Sequence, residues 1–141
     1  MTAHRIKALL VAIAVLLLIS CSRKTQPRLG FISELGEHFI LPPDHVLRIF
    51  DEGGRVNYRL KAGEDTWAPQ EPPIEQGTPW FFFVETPERV WVYDGKEDLR
   101  LLAKKGTRVG VYSLKVCGSS LRDQVPAEVA RRVPGVIKSE G

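Results

Sequence analysis

The sequence predicts a mainly β domain, a small antiparallel sandwich or partly open barrel of roughly five to eight strands, followed by one short C-terminal helix. Three observations carry this expectation. Residues 55–61 alternate strictly, with Val56, Tyr58 and Leu60 on one side and Arg55, Asn57, Arg59 and Lys61 on the other, the period of a strand with one wet face. Trp80-Phe81-Phe82-Phe83-Val84 is apolar at every position, the pattern of a central strand covered on both sides. Turn-forming clusters at Asp51-Glu52-Gly53-Gly54, Glu85-Thr86-Pro87-Glu88, Asp94-Gly95 and Lys105-Gly106 separate the apolar runs at short intervals, the punctuation of an antiparallel meander.

The N-terminal segment has a separate logic. Residues 1–7 carry His4, Arg5 and Lys7 with no acidic residue, and Ala8 to Ile19 is an unbroken apolar run of twelve. A positive n-region before a short apolar stretch is the layout of a secretory signal. A spanning helix needs about 20 apolar residues, and Ser22-Arg23-Lys24-Thr25-Gln26 prevents any extension. The run ends in Leu18-Ile19-Ser20-Cys21: aliphatic, tolerant, small, cysteine. This resembles the lipobox of bacterial lipoproteins. The resemblance covers residues 1–21 and implies cleavage before Cys21, a diacylglycerol on its sulfur and acylation of the new amine. Together with the strand and helix patterns it gives a cleaved signal (1–20), a lipidated N-terminus and tether (21–30), a β domain (31–135) and a flexible tail (136–141). One acyl chain holds a protein marginally at a membrane and two or more hold it stably. Ser22, where an Asp would imply retention in the inner membrane, implies the outer membrane facing the periplasm. The periplasmic side of the inner membrane is the alternative.

Along the domain, Phe31, Ile32, Leu35 and Phe39 open the apolar content, and Gly36 argues against one long helix there. Phe39-Ile40-Leu41 reads as a short strand stopped by Pro42-Pro43. Val46–Phe50 and Arg55–Lys61 read as the arms of a hairpin, whose glycines supply the positive φ a tight turn needs. Residues 62–79, with Pro69, Pro72, Pro73 and Pro79, read as one long connection, a kind of loop often functional or disordered. Trp67 stands in it among polar neighbours, either as an exposed contact or tucked back to pin the loop; Trp is highly buried on average. After Trp80–Val84 come strands at Val90–Tyr93, Leu99–Leu102 and Val109–Val116. Val125, Val129 and Val133 then recur every fourth residue, one apolar stripe of a short helix, with Pro126 at its start and Pro134-Gly135 at its end.

Without residues 1–20 the chain has eighteen basic residues against seventeen acidic. That near-balance gives no footprint for nucleic acid. With Cys21 taken by lipid, Cys117 is the remaining thiol; at the end of the strand ending in Val116 it is expected to be a buried small hydrophobe.

No motif predicts catalysis, a metal or a cofactor. His38 and His45 stand near Glu34, Glu37 and Asp44 but match no H-E-x-x-H or Cys/His spacing. Cys117-Gly118-Ser119-Ser120 lacks the frame of a nucleophile elbow. The aromatic cluster of Trp80 to Phe83, Trp91 and Tyr93 reads first as core. Trp91 and Tyr93, two apart and so on one face, together with Trp67, are the candidate interaction surface, because aromatic residues with polar tips favour such surfaces. The expected role is structural or interactive: a lipid-anchored domain presented to an envelope protein or glycan. A ligand-binding or inhibitor module using the aromatic face is the alternative.

Overall fold

The computed structural model describes residues 28–41, 44–67, 74–105 and 108–138. Alternating burial sorts the strands of these residues into two antiparallel sheets that do not close into a barrel. β1 (Gly30–Ile32) is followed by β2 (Gly36–Leu41), β3 (His45–Glu52), β4 (Arg55–Ala62), β5 (Asp65–Trp67) and β6 (Ile74–Glu75), and then by β7 (Phe81–Thr86), β8 (Arg89–Tyr93), β9 (Leu99–Lys105) and β10 (Arg108–Ser113). Four short helices complete the described chain: α1 (Leu114–Cys117), α2 (Ser119–Arg122), α3 (Ala127–Arg132) and α4 (Pro134–Lys138).

The first sheet runs β1-β7-β8-β9-β10. Its odd and even positions face different partners. Ile32, Phe82, Val84, Val90, Val92 and Leu102 point toward the second sheet, while Phe81, Phe83, Trp91, Tyr93, Leu99 and Leu101 join Leu114, Leu121, Val129 and Val133 of the helices in a separate cluster. This is the helix-backed sheet. Because it is covered on both sides, its central strands cannot afford a polar face, and the unbroken Phe81–Val84 run follows.

The second sheet runs β2-β3-β4, with β5 and β6 sharing the far edge of β4. Leu47, Ile49, Val56, Tyr58 and Leu60 pack inward against the helix-backed sheet. The intervening residues face out, so this is the open-faced sheet. Gly53 and Gly54 stand at φ 62° and 79°, the two left-handed residues that a two-residue hairpin turn demands. They fix the register from His45↔Ala62 to Glu52↔Arg55.

Four expectations need correction. The 62–79 connection is not wholly irregular: β5 and β6 pair with the two ends of β4, and residues 68–73 between them lie outside the described set. The last strand stops at Ser113, and Leu114–Cys117 is a helical turn, which places Cys117 half-buried beside the helix-side cluster instead of within a strand. The single C-terminal helix is four short ones, since Gly118, at φ 59° and ψ −132°, and Pro126 and Pro134 each restart the backbone. Val136 and Ile137, expected in a flexible tail, lie in α4 and pack against the helix-side cluster. The segments expected to be signal and tether, including Cys21, lie outside the described residues as far as Pro27. Among the described residues no helix is long and apolar enough to cross a membrane.

Candidate functional site

A cleft of about 770 Å³ opens where β7 and β8 meet the C-terminal helices. Trp80, Phe81 and Tyr93 line it from the sheet, Lys96 and Glu97 from the β8–β9 loop, and Arg132 to Val136 from α3 and α4. The aromatic side is a packed string: Phe31 meets Phe81 edge-on at 5.2 Å between centroids, and Phe81 lies 5.2 Å from Tyr93. The Arg132 guanidinium stacks 3.9 Å from the Phe31 ring centre and 5.4 Å from that of Phe81, a cation–π contact that steers a charge over the aromatic wall. Among the described residues Arg132 has no carboxylate partner.

The loop beneath is rigidly built. Asp94 Oδ1 accepts from the backbone N–H of Lys96, Glu97 and Asp98 at 2.8, 3.0 and 3.1 Å, the Asx geometry that lets one side chain fold a turn. Gly95 stands at φ 84°, and a Cβ there would run into the Thr78 side chain. Thr78 itself donates to the carbonyl of Glu75 at 2.8 Å and approaches that of Asp94 at 3.2 Å. Lys96 pairs with Glu75 (2.6 Å) and Glu97 with Lys115 (2.6 Å), fastening the loop to β6 on one side and α1 on the other. These contacts hold the Glu75 carboxyl below its ordinary range, through the Lys96 hydrogen bond first, and raise the Lys115 ammonium through Glu97. Burial, then the nearby Asp94 charge, pushes the Tyr93 phenol above its usual value. Its hydroxyl lies 3.4 Å from the Lys96 carbonyl.

Of the aromatic residues singled out from sequence, Trp91 and Tyr93 share a strand face and are covered to different depths. Tyr93 lines the cleft. Trp91 is on the same helix-facing side but is wholly enclosed, 0% exposed, with its indole N–H donating to Glu85 Oε2 at 2.9 Å; the same oxygen accepts from Arg89 at 3.0 Å. Trp91 is therefore core with its polar tip satisfied. Trp67 ends β5 opposite Leu60, and its side chain lies outside the described set. The site residues that sequence reasoning missed are Trp80 and Phe81, read only as core, and Arg132, which a six-residue helix gives no reason to single out.

No family model, curated protein or solved structure matches the chain.

The other candidate chemistry is dispersed. His38 is buried in β2, with Nδ1 3.2 Å from the Arg28 guanidinium and Nε2 3.0 Å from the Glu34 carbonyl. A guanidinium only donates, so Nδ1 accepts and the Nε2 proton goes to the carbonyl. Arg28 also holds Glu34 at 2.6 Å, and this hydrogen bond keeps the Glu34 carboxyl below its ordinary value. His38 thus fastens the entry to β2. Ser119 and Ser120 sit in α2, across the helix-backed sheet from it. Cys117 lines a smaller hollow of about 210 Å³ with Arg89, Tyr112 and Gln124. Among the described residues no three His, Cys, Asp or Glu side chains gather as metal ligands would.

Proposed function

We propose that this chain is a lipid-anchored binding module of a bacterial envelope, held by an acylated Cys21 and presenting the helix-side cleft to a partner protein. The arrangement that carries this reading is the exposed cation over an aromatic wall. Arg132 stacks on Phe31 and Phe81 beside Trp80 and Tyr93. Aromatic residues and arginine are the side chains that dominate binding energy at protein interfaces, and Arg132 suits a carboxylate on the incoming chain. The loop that forms the cleft floor is held by side-chain bonds before any partner arrives, which lowers the ordering cost of binding. The anchor reading rests on the lipobox resemblance and on the apolar run of twelve before it.

A small ligand is the second reading, because about 770 Å³ falls within the range of about 300–1,000 Å³ of ligand pockets.

Two experiments separate anchor from cleft. Cys21→Ala should block acyl labelling and leave the precursor uncut; normal maturation and membrane retention would refute the anchor. A photo-crosslinker in place of Lys96 should give a discrete protein adduct in intact envelopes, and Arg132→Ala should abolish it. An adduct indifferent to Arg132→Ala would refute the cleft as the contact surface.

A further inference from the structure

The outward side of the open-faced sheet lies on the far side of the molecule from the cleft. Arg48 and Arg59 are direct cross-strand neighbours there, and both guanidiniums lie over the Phe50 ring, at 5.7 and 5.5 Å from its centre. Lys61 continues the row along β4. Among the described residues none of these three cations is in an ion pair. Like charges directly opposite on a sheet are destabilising, and Glu37, across from Arg48 on the other side, offsets the three cations only in part. The carboxylates of this face are Glu37, directly opposite Arg48 on the edge strand, Glu52 at the hairpin end and Glu75 on β6. Arg55 faces Glu75 in register and helps lower its carboxyl, so it is already partly compensated.

The face is also apolar where the chain enters it. Phe39 and Leu41, on the edge strand β2, are 44% and 39% exposed. The Arg28 backbone N–H donates to the Phe39 carbonyl at 3.1 Å. Cys21 is seven residues before Arg28, and seven residues reach at most about 25 Å when fully extended. The covalent path from the lipid therefore ends at the rim of the basic, aromatic face.

We infer that this face, Arg48, Arg59 and Lys61 around Phe50 with Phe39 and Leu41 at its edge, lies on the anionic surface of the bilayer that holds the anchor. The inference rests on the anchor reading for its geometry. Exposed arginines and lysines are drawn to anionic headgroups, and the short tether keeps the face within reach of them. The apolar side chains at the edge enter the headgroup boundary, as on peripheral membrane surfaces. In this orientation the helix layer and the cleft point away from the membrane, toward a partner.

The test uses the full chain purified from membranes and returned to vesicles of phosphatidylcholine alone or mixed with phosphatidylglycerol. An amine-acylating reagent reads the exposed Lys61, on this face, against the exposed Lys138, at the end of α4. On vesicles with phosphatidylglycerol the labelling of Lys61 should slow by roughly tenfold while Lys138 keeps its rate. Arg48→Gln with Arg59→Gln, or salt near 1 M, where the Debye length is about 3 Å, should restore it. Arg131→Gln, which removes a positive charge from the helix layer instead, should leave the protection intact. Equal labelling of Lys61 on both vesicle types would overturn the inference. So would equal protection of Lys61 and Lys138, or protection that survives loss of Arg48 and Arg59. Flotation with neutral vesicles reports the anchor separately: a chain that floats only with anionic vesicles, with Lys61 protected, keeps this face and refutes the anchor.

Discussion

The two sheets share one interior and differ in what lies behind them. Behind the helix-backed sheet stand α1 to α4, so Phe81, Phe83 and Trp91 are buried, as Phe82 and Val92 are on the other side. Behind the open-faced sheet stands solvent, so Arg48, Arg59 and Lys61 alternate with Leu47, Tyr58 and Leu60. The difference teaches where each sheet's information lies. A doubly covered sheet contributes apolar burial on two faces and has little surface for recognition except at its ends, where the cleft is. A singly covered sheet contributes half the burial per residue and leaves a whole face whose chemistry stability does not dictate.

The largest effect expected from this contrast is at Phe82. It is 0% exposed, between the sheets, with Tyr58 4.9 Å away edge-on. Truncating a buried Phe to Ala costs about 3–5 kcal/mol, and each kcal/mol moves the melting temperature of a domain this size by about 4–8 °C. Phe82→Ala should therefore lower it by more than about 12 °C in a thermal scan. A thermally silent Phe82→Ala would make this strand a surface. Next comes the helix layer. Leu121→Ala should cost about 2–5 kcal/mol if the helices belong to the same cooperative unit as the sheet they cover. Calorimetry resolving a separate transition for the variant would divide the layers.

These two expectations start from patterns of unequal legibility. Phe82 was visible in the sequence because five apolar residues in succession have one structural meaning in a turn-rich chain. The β3–β4 hairpin was visible because alternation and Gly53-Gly54 agree. The helix layer reads as one element because Val125, Val129 and Val133 give its only 3.6-residue period; helices of four residues have none. Leu114–Cys117 continues the apolar texture of β10 and so reads as strand until Gly118 turns the chain. β5 and β6 are too short to alternate and flank Pro69, Pro72 and Pro73. The cleft draws on Ser33, Trp80, Tyr93, Lys96 and Arg132, residues far apart in sequence. Tyr93 alone among them is marked as a contact by its sequence pattern, and its neighbour Trp91 is inside because two residues on one strand face can be covered to different depths.

A smaller effect concerns pH at the cleft. The Tyr93 phenol is raised above its ordinary value, by burial first and by Asp94 second. A group whose folded pKa is raised contributes stability that is full below its unfolded value, near 10, and lost as the pH rises through the folded one. The melting temperature should fall on going above about pH 10, and Tyr93→Phe should make that fall shallower. An unchanged alkaline limb would mean that the ring titrates as freely as in the unfolded chain. The smallest effect is on the open face: Arg59→Gln should change stability by less than about 0.5 kcal/mol, as surface substitutions do, while speeding the labelling of Lys61 on anionic vesicles. A large loss of stability would show that the cations over Phe50 support the fold.

The division of labour between the sheets is tested most directly by native-state hydrogen exchange on the whole chain. Amides of β7 and β8 should exchange only through global unfolding, and those of the β3–β4 hairpin should open at a measurably lower free energy. Exchange that is as slow or slower in β3–β4 than in β7–β8 would contradict the account, because stability would then reside in the sheet with one face in water.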